Sequence, residues 1–228
     1  ILIQVAEIED KRHHELKSKD FIDSPISMIE VEKAIKLLKN RSAPGASKFV
    51  GELIKYGGKN SRYAISLFCW ITFQLIEVPP EWTHAIISSL FKKGKSYDPN
   101  NYRGISIMEI CTKVYAIILL TRSMDYAEKN RKISEAQTAY RKRRGCLDNL
   151  LVLQSLFNLN RKRPVVFVFI DFVKAFDKVW RPHIWVRLAK KIGIKNRLWH
   201  ALKSLYKSTK RSVLINGAVS KAFGITLG

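Results

Sequence analysis

Apolar positions recur at helical spacing over most of the chain. Ser27 and Glu30 form a capping box that starts the first such stretch, and this stretch predicts a helix ending near Asn40. A turn follows at Pro44–Gly45, because neither residue readily continues a helix. The same spacing predicts helices over residues 62–76, 109–129, 145–158, 181–192 and 196–206. Within residues 109–129, the expected core stripe consists of Val114, Ile117, Ile118 and Leu120.

Shorter apolar runs predict strands. Residues 85–91 and 102–107 lie on either side of a cationic turn, as in a hairpin. Residues 212–215 and 219–225 flank Asn216–Gly217, a dipeptide that favours a tight hairpin turn. Together with the helices, these strands predict an α+β fold with a small antiparallel sheet.

One further run is continuous rather than alternating. Six apolar residues, Val165–Ile170, follow Pro164 and lead into Asp171. Such a run predicts a strand buried on both faces, with Asp171 at its end, where ligands tend to bind. Capping of the next segment is the alternative role for Asp171. A phosphatase of the Asp-x-Asp type is excluded because the second acid is replaced by Val173.

The charge of the chain is strongly positive. The formal net charge is +22, and residues 41–228 contain 34 of the 41 Lys and Arg residues but only 11 of the 19 acids. This excess indicates a polyanionic partner, nucleic acid before a membrane surface.

The cysteines and the apolar stretches exclude several protein classes. Cys69, Cys111 and Cys146 are odd in number and far apart, which argues against a disulfide framework or a zinc site and for a reducing compartment. The longest apolar stretch, residues 65–76, is too short to span a bilayer.

Four segments carry a family resemblance. The run Phe169–Val179, FIDFVKAFDKV, resembles the first catalytic motif of reverse transcriptases from non-LTR, LINE-type retrotransposons. Residues 82–107 resemble the family's W…L-x-K-x-G…N-Y-R-x-I-S-I pattern, with Gly104 in place of Pro. Residues 135–141 resemble E-x-Q-x-G-F-R, with Ala139 in place of Gly, and residues 41–47 resemble K-x-P-G-x-D, with Ser47 in place of Asp.

The resemblance implies a nucleotide site. Asp171 would be the catalytic metal ligand, with Mg²⁺ or Mn²⁺ expected only in a complete enzyme. Lys92 or Lys93, together with Arg103, would contact the triphosphate of the incoming dNTP, with solvated surface charge as the alternative for each residue taken alone. Phe172 would contribute a backbone group. Phe176 would exclude a ribose 2′-hydroxyl, with core packing as its alternative role.

A second set of residues would bind the nucleic acid itself. The basic run Arg141-Lys142-Arg143-Arg144 is expected to be too charged for burial and, beside Tyr140 and Gln137, suits a nucleic-acid backbone. A solvated loop is the alternative. Because Ala139 cannot take a positive φ cheaply, the local backbone is expected to differ from that of the family.

The resemblance also implies an architecture. Residues 1–40 would be a helical N-terminal extension, residues 41–160 the fingers of a right-hand polymerase, and residues 161–228 a partial palm. The family's Asp-Asp pair occurs nowhere in the chain, so we expect a catalytically incomplete fragment. Whether the chain is an enzyme stays open, the alternative being a non-catalytic basic RNA- or DNA-binding remnant of a retroelement. The expected partners are RNA template, DNA primer and dNTP but no membrane, and the expected location is intracellular, in cytoplasm and nucleus.

Overall fold

The computed structural model describes Gln4 and residues 21–225, so residues 1–3 and 5–20 of the predicted N-terminal extension lie outside the described residues. Residues 21–225 begin with a 3-10 turn at Phe21–Asp23 and contain seven α-helices. These helices are α1 Met28–Lys36, α2 Gly51–Tyr56, α3 Gly58–Leu75, α4 Ile110–Lys129, α5 Cys146–Leu159, α6 Arg181–Arg187 and α7 Arg197–Tyr206. The strands are β1 His84–Phe91, β2 Tyr102–Met108, β3 Lys210–Ile215, β4 Ala218–Val219 and β5 Phe223–Gly224. A π-helical turn, Leu188–Ile192, continues α6. The predicted helices and the first hairpin are thus present, whereas the strand predicted over residues 219–225 is divided into the two short strands β4 and β5.

The sheet is mixed, so the expectation of a purely antiparallel sheet was wrong. Its order is β2-β1-β3-β4, with β5 also paired to β3. β1 and β2 are antiparallel, whereas β1 and β3 run parallel. A parallel pair requires a long crossover, and α4 to α7 lie on the segment that joins these two strands. The Asn216–Gly217 turn between β3 and β4 has the positive φ angles, 49° and 83°, of a tight hairpin.

The core lies among the helices. Its cluster of buried side chains draws on α1, α3, α4, α6 and α7 and includes residues on both sides of positions 40 and 160. Phe73, Tyr115 and Trp199 are fully buried there. The three-part domain division stays a prediction.

The buried face of α4 differs by one position from the predicted stripe. Val114 and Ile118 are buried as expected, but Leu120 is 58% exposed and Leu119 is fully buried. Residues four apart share a helix face, so Tyr115 and Leu119 form one row of this surface, and Val114, Ile118 and Arg122 form the next.

Arg122 is a buried cation in this helical core. Its guanidinium forms a two-point ion pair with Glu30, with distances of 2.6 and 2.8 Å to the carboxylate oxygens. It also donates to the backbone oxygens of Ile22, Ser24 and Pro25. Because these groups precede or open α1, Arg122 fastens the 22–30 segment to α4.

The Pro44–Ser47 turn is fastened to the start of α4. The carboxylate of Glu109 accepts hydrogen bonds from the amide and the hydroxyl of Ser47, at 2.8 and 2.5 Å. A Cβ on Gly45 would lie 2.6 Å from the same carboxylate. An Asp at position 47 would place two carboxylates together, which accounts for Ser47 at this position.

Candidate nucleotide and nucleic-acid site

The β1–β2 hairpin places one lysine and Arg103 on the same face. Arg103 pairs with Leu90 across the two strands, and the ladder extends to a 2.8 Å hydrogen bond from the Lys92 amide to the Asn101 oxygen. Because paired residues share a face and alternate residues of a strand do too, Lys92 falls on the side of Arg103, whereas Lys93 does not. All three cationic side chains are exposed. Of the two predicted lysines, Lys92 is therefore the one on the face of Arg103.

Gly104 lies on the opposite face of the same hairpin. A Cβ at this position would come within 3.0 Å of the Ile87 side chain. The close approach favours glycine here.

Residues 164–172 form no strand, so the prediction of a buried central strand was wrong. Val166, Phe169 and Ile170 are each more than three-quarters exposed. A strand requires hydrogen-bonded neighbours, and the described sheet has no pairing for this segment. Asp171 and Phe172 lie on this exposed segment, and Phe176 lies on the turn that follows it.

Asp171 does not form a metal centre with other described residues. Within the described part of the chain, no three His, Cys, Asp or Glu side chains lie close enough together to hold a metal ion. A single exposed carboxylate does not fit a two-metal site, which requires several oxygen ligands.

Arg141 was expected to be exposed with the rest of the basic run, but its side chain is only 6% exposed. Its guanidinium contacts both carboxylate oxygens of Glu128 at 2.8 Å and lies 3.4 Å from Glu135. Hydrogen bonds from Arg141 lower the pKa of Glu128 below its ordinary value. The dense charge of the run led to the wrong prediction for Arg141, since the Glu128 that compensates it lies 13 residues away.

The rest of the basic run lies on the surface. Lys142 pairs with Asp125 at 2.9 Å and is 77% exposed. Arg144 pairs with Glu135 at 2.5 Å, and Arg143 is exposed. Because Asp125 lies on α4, the pair with Lys142 also holds the loop against that helix.

Tyr140, one residue after Ala139, has an unusual backbone conformation, while the expected difference from the family's backbone stays a prediction. Its φ is 61°, so the left-handed conformation falls one residue after the alanine that replaces the family's glycine. Its ring meets Phe176 edge to face, with ring centroids 6.5 Å apart and planes at 85°. The structure thus joins two separately predicted residues, while Gln137 lies exposed in the same loop.

Comparison with known proteins decides the family. A model of the family described as "Reverse transcriptase (RNA-dependent DNA polymerase)" matches residues 91–223, more than half of the chain. The chain belongs to the reverse transcriptase family. The matched residues of this reverse transcriptase chain include Lys92, Arg103, Asp171 and Phe176. No helix described in it is long and apolar enough to cross a bilayer.

Similar proteins are encoded by mobile elements. The "Probable RNA-directed DNA polymerase from transposon X-element" of Drosophila melanogaster is 27% identical over 230 residues, which is 100% of this chain and 25% of that protein. The "RNA-directed DNA polymerase from mobile element jockey" of Drosophila funebris is 26% identical over 207 residues, 90% of this chain and 22% of that protein. The chain thus spans about a quarter of the length of these relatives. The resemblance to reverse transcriptases of non-LTR retrotransposons is confirmed.

Proposed function

We propose that this chain is the part of an RNA-directed DNA polymerase that binds RNA template with DNA primer and receives the dNTP. The observation that carries the proposal is the family match over residues 91–223, because it includes both the cationic hairpin and the Asp171 segment. We place the protein inside the cell, in cytoplasm and nucleus, where its template and primer occur.

The hairpin face of Lys92 and Arg103 would bind the triphosphate. A lysine supplies a compact positive charge, while an arginine donates two parallel hydrogen bonds to phosphate oxygens. Strand pairing holds the backbone of Arg103, and the hydrogen bond from the Lys92 amide to the Asn101 oxygen holds that of Lys92, so the two cations can contact one phosphate group without a large rearrangement. Lys93 would remain outside this contact.

Asp171 would provide one carboxylate to the metal-dependent transfer of the nucleotide, with Mg²⁺ or Mn²⁺ as the ion. Phe172 and Phe176 would contact the same nucleotide, Phe172 through its backbone and Phe176 at the sugar. A complete centre needs ligands additional to Asp171. We therefore propose binding by the 228-residue chain and assign the transfer to a polymerase that also carries those ligands.

Nucleic-acid binding would follow from the positive surface. Lys142, Arg143 and Arg144 are exposed and lie beside Tyr140, so phosphates and stacked bases can both be contacted there. Arg141 is assigned to holding this loop instead.

Fluorescence anisotropy with a labelled RNA–DNA primer-template tests the proposal. The 228-residue chain should bind this primer-template. The complex formed by the parent should then bind added dNTP, whereas the complexes formed by Lys92→Ala and Arg103→Ala should not. Lys59→Ala is a matched control, because Lys59 is exposed on α3 outside the family match. Retention of dNTP by both hairpin variants would refute the assignment. Binding of nucleic acid with no dNTP retention by the parent would favour a non-catalytic binding module.

A further inference from the structure

The loop between α4 and α5 is held by Arg141, whose guanidinium N–H groups all have hydrogen-bond partners. The Nε and Nη2 of Arg141 reach the two carboxylate oxygens of Glu128, on the last turn of α4, at 2.8 Å each. Its Nη1 donates to the backbone oxygens of Ser134 and Gln137 at 2.9 and 3.2 Å. These contacts tie both ends of a short loop segment to one helix.

Tyr140 immediately precedes this anchor and adopts a strained backbone. A φ of 61° places a bulky residue in the left-handed region, a conformation that persists only where its surroundings impose it. The contacts of Arg141 provide that constraint. The backbone of Tyr140 is therefore constrained by the loop, and its ring, which is 82% exposed, extends from that backbone to Phe176.

The turn that carries Phe176 is held by few bonds of its own. Within it, the Lys178 amide lies 3.2 Å from the Lys174 oxygen, and the Val179 amide lies 3.5 Å from the Phe176 oxygen, at the limit of a hydrogen bond. Lys174 also has a positive φ, 51°. Phe176 is 72% exposed, so no core pocket fixes its ring, and the edge-to-face contact with Tyr140 supplies a neighbouring ring whose backbone is constrained.

We propose that Tyr140 is a positioning residue for Phe176, with the Glu128–Arg141 ion pair as its anchor on α4. These contacts connect the end of α4 to the Glu128–Arg141 ion pair, the ion pair to Tyr140, and Tyr140 to Phe176. Edge-to-face rings attract each other because the positive edge of one meets the negative face of the other. A ring fixed on one side leaves its other face available to a nucleotide.

Fluorine NMR on the 228-residue chain labelled with meta-fluorotyrosine tests the positioning without any activity. The chain has eight tyrosines, and the Tyr140 line is identified by its loss in Tyr140→Phe. Phe176→Leu should move this line, because the ring current of the phenylalanine is removed. Glu128→Gln should move it in the same direction, since a neutral amide holds Arg141 less firmly.

Glu77→Gln is the matched control, because Glu77 is exposed in the loop that follows α3 and should leave the Tyr140 line in place. The other seven lines report the fold in every variant. A Tyr140 line that stays fixed in Phe176→Leu would show that the rings do not meet. A line that stays fixed in Glu128→Gln would remove the ion pair from the proposal.

A second readout rests on the proposed function of Phe176 at the nucleotide sugar. In a polymerase-active chain that contains these residues, Tyr140→Ala should raise the kcat/KM for ribonucleotides relative to deoxyribonucleotides by about twofold to tenfold, the range expected from losing one edge-to-face ring pair. Tyr140→Phe keeps the ring and should restore the parent's selectivity. Unchanged selectivity together with a shifted fluorine line would refute the sugar role of Phe176 and leave the positioning intact.

Discussion

Replacement of Arg122 by methionine should destabilise the protein strongly. The substitution leaves the Glu30 carboxylate, whose side chain is only 18% exposed, without its ion-pair partner. It also removes the donor from three backbone oxygens in the 22–25 segment. Removal of one partner from a buried ion pair typically costs about 3–5 kcal/mol. Because Glu30 keeps some contact with water, we expect about 3 kcal/mol, the lower end of that range.

The pH dependence separates the charge effect from lost packing. Burial by itself would raise the pKa of Glu30, but the hydrogen bonds and the charge of Arg122, with hydrogen bonds from Ser27, lower it below its ordinary value of 4.5. A carboxyl with a lowered folded-state pKa contributes stability that is present above its unfolded pKa and lost as the pH falls through the folded one. The loss of unfolding free energy in Arg122→Met should therefore become smaller as the pH is lowered from about 7 to about 4.

Urea unfolding monitored by tryptophan fluorescence measures this deficit. At a slope of about 2–3 kcal/mol per molar urea, the midpoint should fall by about 1 to 1.5 M at neutral pH. Arg163→Met serves as the control, because Arg163 is exposed and should change stability by less than about 0.5 kcal/mol. A deficit below about 1 kcal/mol at neutral pH, or one that is the same in acid, would refute the reasoning.

Three other predictions concern separate parts of the chain. Ser47→Asp should destabilise the protein more than Ser47→Ala in urea titrations, because it places a second carboxylate against Glu109, and the reverse order would contradict this account of the turn. Cys146 should react promptly with a thiol reagent at mildly alkaline pH, whereas burial raises the pKa of Cys69 to about 12 and that of Cys111 to about 11, so both should react slowly until the protein unfolds; a second prompt thiol would argue against this. Arg143→Ala should lower the log–log salt slope of single-stranded RNA binding by about 0.7, measured by anisotropy, and an unchanged slope would remove Arg143 from the interface.

The elements that sequence predicted well depend on local physics. The Ser27–Glu30 capping box does open α1, with the Glu30 carboxylate accepting from the Ser27 amide at 2.9 Å. The Asn216–Gly217 turn likewise follows from the two residues that tolerate positive φ best. In both cases the stabilising contact lies within three residues, so the sequence alone contains both partners.

The features that sequence missed depend on distant partners. The parallel pairing of β1 with β3 joins segments more than 100 residues apart, and nothing in either strand specifies the direction of its neighbour. The burial of Arg122 depends on Glu30, which is 92 residues away. The sequence did contain one local indication that Arg122 is buried. It continues the i, i+4 series of Val114 and Ile118 on the buried face of α4.

The segment before Asp171 shows how a correct motif can accompany a wrong local structure. Together with the residues that follow it, this segment forms the motif FIDFVKAFDKV that resembles the family's, and the family match over residues 91–223 includes it. A strand, however, forms only where neighbours accept and donate its backbone hydrogen bonds, and the described sheet provides none for residues 164–172. The family could therefore be recognised from the side chains of this segment. Its backbone conformation, in contrast, depends on strand pairing, which those side chains do not specify.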